Sequence, residues 1–206
     1  MAFDIIKLEA RHLDPVVTVH MKAFPSFFLT FLGPRFLKEF YRSFIDDSAG
    51  IGFAGHDAST GQIAGVVVGP LVPAGYFKRL LKRKWWAFCL ASLTAVLKKP
   101  SVTRRLFRAV FYRGESPAST EGLALLSSIA VSPDVQAKGL GRMLVQTFLE
   151  EVKRRGGRGV YLTTDADNNE KVNLFYRKAG FSMESSYDTP EGRKMNRYIL
   201  VFDDLT

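Results

Sequence analysis

Ser127–Gly141, SSIAVSPDVQAKGLG, is the segment that most narrows what this 206-residue chain folds into. Ser127–Val131 reads as a short strand. Pro133 stops it, because proline has no N–H to give to a sheet. Gln136-Ala137-Lys138-Gly139-Leu140-Gly141 then leads into an amphipathic helix predicted over 140–155, which Gly156-Gly157 ends. The two glycines let the turn approach a ligand closely. The helix opens with N–H groups that have no partner inside it and with the positive end of its dipole. Strand, glycine turn and helix start in that order make an anion site that suits a pyrophosphate. The dinucleotide fingerprint GxGxxG and the phosphate loop GxxxxGK[ST] are both absent. The same residues also make an ordinary strand-to-helix turn, so the choice between the two readings falls to the rest of the chain.

Tyr161–Phe181, YLTTDADNNEKVNLFYRKAGF, favours the binding reading. Tyr161–Thr164 has strand chemistry. Asn168 or Asn169 starts a helix predicted over 169–179, with Val172, Phe175, Tyr176 and Ala179 spaced i, i+3, i+4, i+7. Gly180 ends it, and Phe181 leads into the next strand. Q-x-x-G-x-G after a strand, followed by N-x-x-V-x-x-F-Y-x-x-x-G-F, resembles the two acetyl-CoA-binding signatures of the GNAT superfamily of N-acyltransferases. Val172 stands where the second signature more often has alanine. The close resemblance covers 123–202; upstream it rests on the order of elements.

That resemblance implies an α/β fold: one GNAT-like N-acetyltransferase domain over 1–206, a mixed central sheet flanked by helices. The element pattern agrees. Asp4–Glu9 reads as a strand. Asp14-Pro15 opens a helix with Asp14 as N-cap, and 34–45 forms another with Phe36, Leu37, Phe40, Tyr41 and Phe44 on one side. Strands over 50–56 and 62–69 form a hairpin across 57–61. Strands follow over 123–131 and 160–164, and 181–186 pairs with 197–202 around a turn at 189–192.

The resemblance also implies the chemistry. Acyl transfer needs a polarised thioester carbonyl, a neutral amine and a stabilised thiolate leaving group. By position in the pattern, Ile129 N–H polarises the acetyl oxygen and Val131 pairs with the pantetheine arm. The N–H groups of Lys138, Gly139, Gly141 and Arg142 hold the pyrophosphate, with Gln136 orienting the turn. Asn169 bonds the pantetheine or the adjacent backbone, or acts as an N-cap. Tyr176 is the candidate general acid at the CoA sulfur. Acetyl-CoA is the implied co-substrate, and no metal is expected. Family members carry a base carboxylate at one of two positions, occupied here by Leu125 and Thr164. Glu121, Asp165, His20 and His56 are the remaining candidates, alongside a water chain. In such folds the helix–loop–helix region near Phe24, Phe27, Phe28 and Phe31 borders the acceptor pocket, although most of these rings are expected in the core.

One segment falls outside that plan. Between Leu71 and Ser119 lies an insertion, and from Ala58 to Gly114 the chain has no acidic residue. Lys78, Arg79, Lys82, Arg83, Lys84, Lys98, Lys99, Arg104, Arg105, Arg108 and Arg113 all lie there, so the formal +9 of the chain is a local property. Phe77, Leu80, Leu81, Trp85 and Phe88 have helical spacing opposite the first cations, and Pro100-Ser101 opens a second basic helix. This fits a solvated cover, a lid over an anionic substrate such as a nucleotide-linked sugar, or peripheral membrane contact through 76–113, with amino sugars, amino acids and protein amines all open as the acceptor. No nucleic-acid module accompanies the charge, and nucleic acid is not an expected partner. A single cysteine, Cys89, excludes a disulfide within the chain and favours a cytoplasmic setting. The N-terminus lacks a secretory pattern, and no apolar run reaches a bilayer-spanning length. The alternative function is a non-catalytic acyl-CoA-binding or membrane-surface module.

Overall fold

The strand expected over 123–131 is broken in the middle, and the break organises the fold. The computed structural model describes residues 2–80, 82, 120–190 and 192–203. Its strands are β1 (Phe3–Lys7), β2 (Gly50–Asp57), β3 (Gln62–Pro70), β4 (Ala124–Leu125), β5 (Ser128–Val131), β6 (Gly159–Asp165), β7 (Ser182–Asp188) and β8 (Lys194–Val201). Its helices are α1 (Leu13–Ala23), the single turn α2 (Phe28–Phe31), α3 (Pro34–Asp46), α4 (Leu140–Arg154) and α5 (Glu170–Lys178). β4 runs parallel to β6, with Ala124 opposite Val160 and Leu125 opposite Tyr161. Leu126 still donates its N–H to Tyr161 O at 2.9 Å, but Ser127 donates to Val68 O of β3, also at 2.9 Å. Ser128 is registered against that same Val68. Two residues facing one is a β-bulge, and it moves the chain from one sheet to the other.

The mixed sheet therefore has two halves, ordered β1-β2-β3-β5 and β4-β6-β8-β7, which share the strand 124–131. The bulge also reverses which residues face which side. Leu123 and Leu125 pack with α1 and α3, whereas Ala124 and Leu126 pack with α4. Past the bulge, Ala130 faces α1 and α3, and Ile129 and Val131 face α4. Strict alternation requires one extra residue between these sets, and Ser127 is that residue. Gly69 makes the junction sterically possible, because a Cβ there would lie 1.8 Å from Leu125 O.

Helix periodicity accounts for the layers on either side. α3 buries the predicted face, Phe36, Leu37, Phe40, Tyr41 and Phe44. α4 buries Leu140, Leu144, Val145, Phe148 and Val152 on the opposite side. Each such side chain contributes about 1.5–3 kcal/mol on leaving water. α4 lies directly on the sheet at Gly65, where an added Cβ would meet Leu144 at 2.9 Å.

Three local expectations are corrected. α1 starts at Leu13 with His12 as N-cap, because Glu9 N–H donates to His12 Nδ1 at 3.1 Å and a 3-10 turn over 10–12 runs into the helix. Asp14 lies in the first turn and pairs with Lys38 at 2.7 Å instead of capping. α5 buries Asn173 and Tyr176, while Val172 is 38% exposed. Of the aromatic rings over 24–31, Phe24 is half-buried and packs against the core of α1 and α3, Phe27 is half-buried, and Phe31 is 46% exposed rather than in the core.

The insertion begins as predicted. Residues 76–80 are helical, with Tyr76 and Phe77 buried and Lys78 and Arg79 exposed. Tyr76 ties this stretch to α3: its ring stacks on Phe44 at 5.6 Å and its hydroxyl donates to Ser43 O at 2.9 Å. Leu81, residues 83–119 with Trp85 and Cys89, and the second basic helix lie outside the described residues. Among the described residues no helix is long and apolar enough to cross a membrane.

Candidate active site

β5 and β6 share no ladder beyond the bulge, and the site forms where they part. Successive N–H groups of an antiparallel strand point to alternate edges. Ser132 N–H reaches Ala64 O of β3 at 2.8 Å, so those of Ser128 and Ala130 point the same way. The N–H groups of Ile129 and Val131 therefore point to the opposite edge, into the split facing β6. Both residues are half-buried.

The chain leaves β5 through a 3-10 turn, Pro133–Val135, and enters a tight reversal. Gly139 takes φ +89° as the N-cap of α4, a conformation in which glycine carries no Cβ penalty. Ala137 adopts φ +63°, which costs a residue with a Cβ about 1–2 kcal/mol. No sequence signal marks that strain. Lys138 N–H points to Val135 O at 3.4 Å, and Arg142 N–H bonds Gly139 O at 3.0 Å. These two of the four expected phosphate donors thus close the turn itself. Among the described residues the N–H groups of Gly139, Leu140 and Gly141 have no backbone partner, so the open donors centre on 139–141. Gln136, Lys138 and Arg142 are exposed beside them, and Lys138 Nζ also reaches Asp134 O at 3.1 Å.

The fold brings the two sequence signatures together. A Cβ on Gly141 would lie 3.6 Å from the Phe175 ring and 3.7 Å from Val131 Cγ2. Asn169 is the N-cap residue of α5, but its side chain makes no capping bond. It donates instead to Thr164 Oγ1 at 2.8 Å and to Asp165 O at 3.0 Å, which fastens α5 to the end of β6. Its Oδ1 has no partner among the described residues. Behind it, Asn173 Nδ2 donates to Asp165 O and Asn169 O, and Asn173 Oδ1 accepts from Asn196 and from the Tyr198 hydroxyl, each at 2.9 Å. Sequence reasoning missed this network. Its only signal was a polar residue three positions before Tyr176 on the buried side.

Tyr176 is buried among Phe175, Phe181 and Tyr198, with centroid separations of 5.2, 5.9 and 6.1 Å. Burial pushes its phenol well above the ordinary tyrosine range, so it stays protonated and able to donate. Among the described residues its hydroxyl has no hydrogen-bond partner.

The structure thins the field of general bases. Asp165 is held by Arg193 through both carboxylate oxygens, at 2.6 and 2.8 Å. Glu121 is exposed at the far end of the shared strand, before β4. His56 sits on β2 opposite Asp4 of the edge strand β1. His20 is only 1% exposed, with Nδ1 2.7 Å from the Tyr41 hydroxyl and Nε2 without a partner. Desolvation lowers its pKa to about 4. The unfolded chain, with histidine near 6.5, binds a proton that the native state refuses, so stability falls as pH drops from about 6.5 towards 4. About 2–3 kcal/mol is expected to be lost over that window. Denaturant titrations at pH 7.5 and 4.5 on wild type and His20→Gln test this; an equal pH dependence in both would overturn it.

The fold thus gathers a split strand pair, a glycine turn at a helix start and a buried tyrosine on the helix that packs near that turn. The acetyltransferase (GNAT) family model matches residues 18–181, and the chain belongs to that family. A 75-residue stretch is 36% identical to the ribosomal protein bS18 alanine N-acetyltransferase of Escherichia coli K12, covering 34% of this chain and 50% of that protein. A 54-residue stretch is 43% identical to mycothiol acetyltransferase of Nocardia farcinica, covering 26% of this chain and 18% of that protein. The chain thus spans half or less of these curated relatives. Among solved structures, the Escherichia coli S18-alanine N-acetyltransferase superposes with a TM-score of 0.60 at 19% identity, over 100% of this chain and 99% of that one. A Brucella melitensis GNAT acetyltransferase in complex with acetyl-CoA gives 0.56 at 16% identity, over 98% and 89%. These structures share the fold.

Proposed function

We propose that this chain is one N-acetyltransferase domain that moves the acetyl group of acetyl-CoA to the primary amine of a small acceptor. The observation that carries this is the split between β5 and β6, into which Ile129 and Val131 direct their N–H groups and at whose end 139–141 offer three more. The pantetheine arm enters the split beside Val131 and is met by Asn169 Oδ1. The pyrophosphate lies on the turn at Gly139 and Gly141, with Gln136, Lys138 and Arg142 around it. Ile129 N–H bonds the acetyl oxygen as it gains charge; a preorganised donor of this kind contributes about 3–4 kcal/mol to a barrier. The amine attacks the carbonyl carbon, the C–S bond breaks, the Tyr176 hydroxyl gives its proton to the leaving thiolate, and the proton that the amine nitrogen sheds passes out through water, which returns the phenol to its neutral form.

The basic insertion supports an anionic acceptor of the amino sugar or amino acid type, and the single cysteine supports a cytoplasmic setting. The bS18-alanine relative makes a peptide amine a further acceptor class to test. A panel of amino sugar phosphates, amino acids and a peptide with a free N-terminal alanine, assayed for release of free CoA thiol, tests the reading. Turnover of none of them would favour a non-catalytic acyl-CoA-binding or membrane-surface module, the alternative that Leu125 and Thr164 in the carboxylate positions keep open.

The insertion has its own test. Neutralising Lys78, Arg79, Lys82 and Arg83 is expected to leave acetyl-CoA affinity within about twofold while weakening acceptor use. The weakening should resemble that of high salt, since exposed charges are screened within about 8–10 Å. Loss of binding to anionic vesicles alone, at about 1 kcal/mol per cation, would assign the insertion to a membrane surface instead. A variant equal to wild type in both assays would make it a solvated cover.

A further inference from the structure

The bulge turns Ser128 towards α1 and α3, away from the face that Ile129 and Val131 present to α4. The phosphate turn, Gly141 and Phe175 all lie on the α4 side. Ser128, a half-buried residue, therefore carries its hydroxyl on the opposite side of the strand, one residue from the N–H that faces the split. Behind it stands a buried polar chain that packing does not require. The Tyr41 hydroxyl, on a side chain with no exposure, has the Ser128 side chain as one partner and His20 Nδ1, at 2.7 Å, as the other. The His20 ring is packed edge-on against Phe24 and Tyr41. Phenylalanine at 41 and an apolar residue at 20 would fill this space without burying polar atoms, and a buried polar atom left unpaired costs about 1–3 kcal/mol. Nε2 of His20 is such an atom.

Resting on the N-acetyltransferase reading above, we propose that Ser128 is the residue that receives and orients the acceptor amine, and that Tyr41 and His20 are positioning residues that set the direction of its hydroxyl. The chain has a polarity in the tautomer that carries the His20 proton on Nε2: Tyr41 donates its O–H to His20 Nδ1, and the Tyr41 oxygen is left to accept the Ser128 O–H. The Ser128 lone pairs are then left facing the α1–α3 side, where they accept an N–H of the amine. An amine held by one N–H from that side aims its own lone pair at the carbonyl polarised by Ile129. His20 serves only as a neutral acceptor, and its burial keeps it neutral. No carboxylate is needed for this orientation, which fits a chain with Leu125 and Thr164 at the usual carboxylate positions.

The test uses Ser128→Ala, Tyr41→Phe and the double variant, with the panel amine that wild type acetylates fastest. Ser128→Ala is expected to lower kcat/KM for the amine by about 10–100-fold, the scale of a misplaced reactant. Its acetyl-CoA Kd by calorimetry should stay within about twofold, and its Tm close to wild type. Tyr41→Phe should lose a comparable factor, and the double variant should be no worse than Ser128→Ala alone, because both act through one hydroxyl. Ser128→Ala at wild-type kcat/KM, losses that multiply in the double variant, or a parallel fall in acetyl-CoA affinity would each overturn the proposal. Should Tyr41→Phe not fold, Ser128→Ala decides alone, since Ser128 is a half-buried strand residue that loses only one oxygen. If wild type acetylates no panel amine, the N-acetyltransferase reading fails and this inference falls with it; an active wild type with an equally active Ser128→Ala removes this inference only.

Discussion

Gly139→Asp and Gly141→Glu are each expected to abolish acetyl-CoA binding, from a wild-type Kd in the micromolar range, about −8 kcal/mol. The two positions act differently. At Gly139 the backbone has φ +89° and a Cβ would meet nothing within 4 Å, so the variant folds around a locally strained residue. Its carboxylate then sits beside the open N–H groups of 139–141, where the pyrophosphate approaches. At Gly141 a Cβ makes ordinary contacts with Phe175 and Val131, so Gly141→Glu fills the point where both signature segments and the strand meet. An anion at a helix start is favoured by the dipole, so an internal carboxylate competes for the same donors as the ligand and repels it. Calorimetry on folded variants, with Gly139→Ala as the backbone-strain control, checks this. Failure of wild type to bind acetyl-CoA, or micromolar binding by either acidic variant, would remove the phosphate-site assignment.

Tyr176→Phe is expected to lower kcat by about 10²-fold with little change in acetyl-CoA affinity, the lower end for loss of a positioned proton donor. The substitution keeps the ring that packs on Phe175, Phe181 and Tyr198 and removes only a hydroxyl with no partner among the described residues. Tyr198 supplies the contrast. Its hydroxyl is spent on Asn173 Oδ1, so Tyr198→Phe should reduce stability by about 1 kcal/mol and leave kcat close to wild type. Single-turnover rates separate chemistry from product release. An unchanged chemical step in Tyr176→Phe would make this tyrosine a packing residue.

Much of the architecture was readable because it is written locally. The apolar face of α3 from Phe36 to Phe44, the α4 stripe and the helix-ending Gly180 follow from spacing and turn chemistry within a few residues. The two signature segments were legible for the same reason: a glycine turn at a helix start and a glycine at a helix end are each written within a few residues. Where local rules competed, the reading slipped. Asp14 looked like an N-cap, but the reciprocal bonding of Glu9 and His12 had already started the helix one turn earlier.

The chemistry of the site depended on contacts that no local pattern records. Ser127–Val131 reads as plain strand, and only the positions of β3 and β6 make Ser127 a bulge, divide the sheet and send the N–H groups of Ile129 and Val131 into the split. Asp165 looks like a free carboxylate until the β7–β8 turn brings Arg193 against it. His20 reads as one of four candidate bases until folding buries it and leaves the Tyr41 hydroxyl 2.7 Å from its ring nitrogen. A residue's conformational preference belongs to its own backbone and its near neighbours, so the elements and their glycine turns are present in the chain order. Hydrogen-bond partners, burial and the charge state of a side chain are set by atoms that only folding brings within a few ångströms, and these decide which groups are left to meet a ligand.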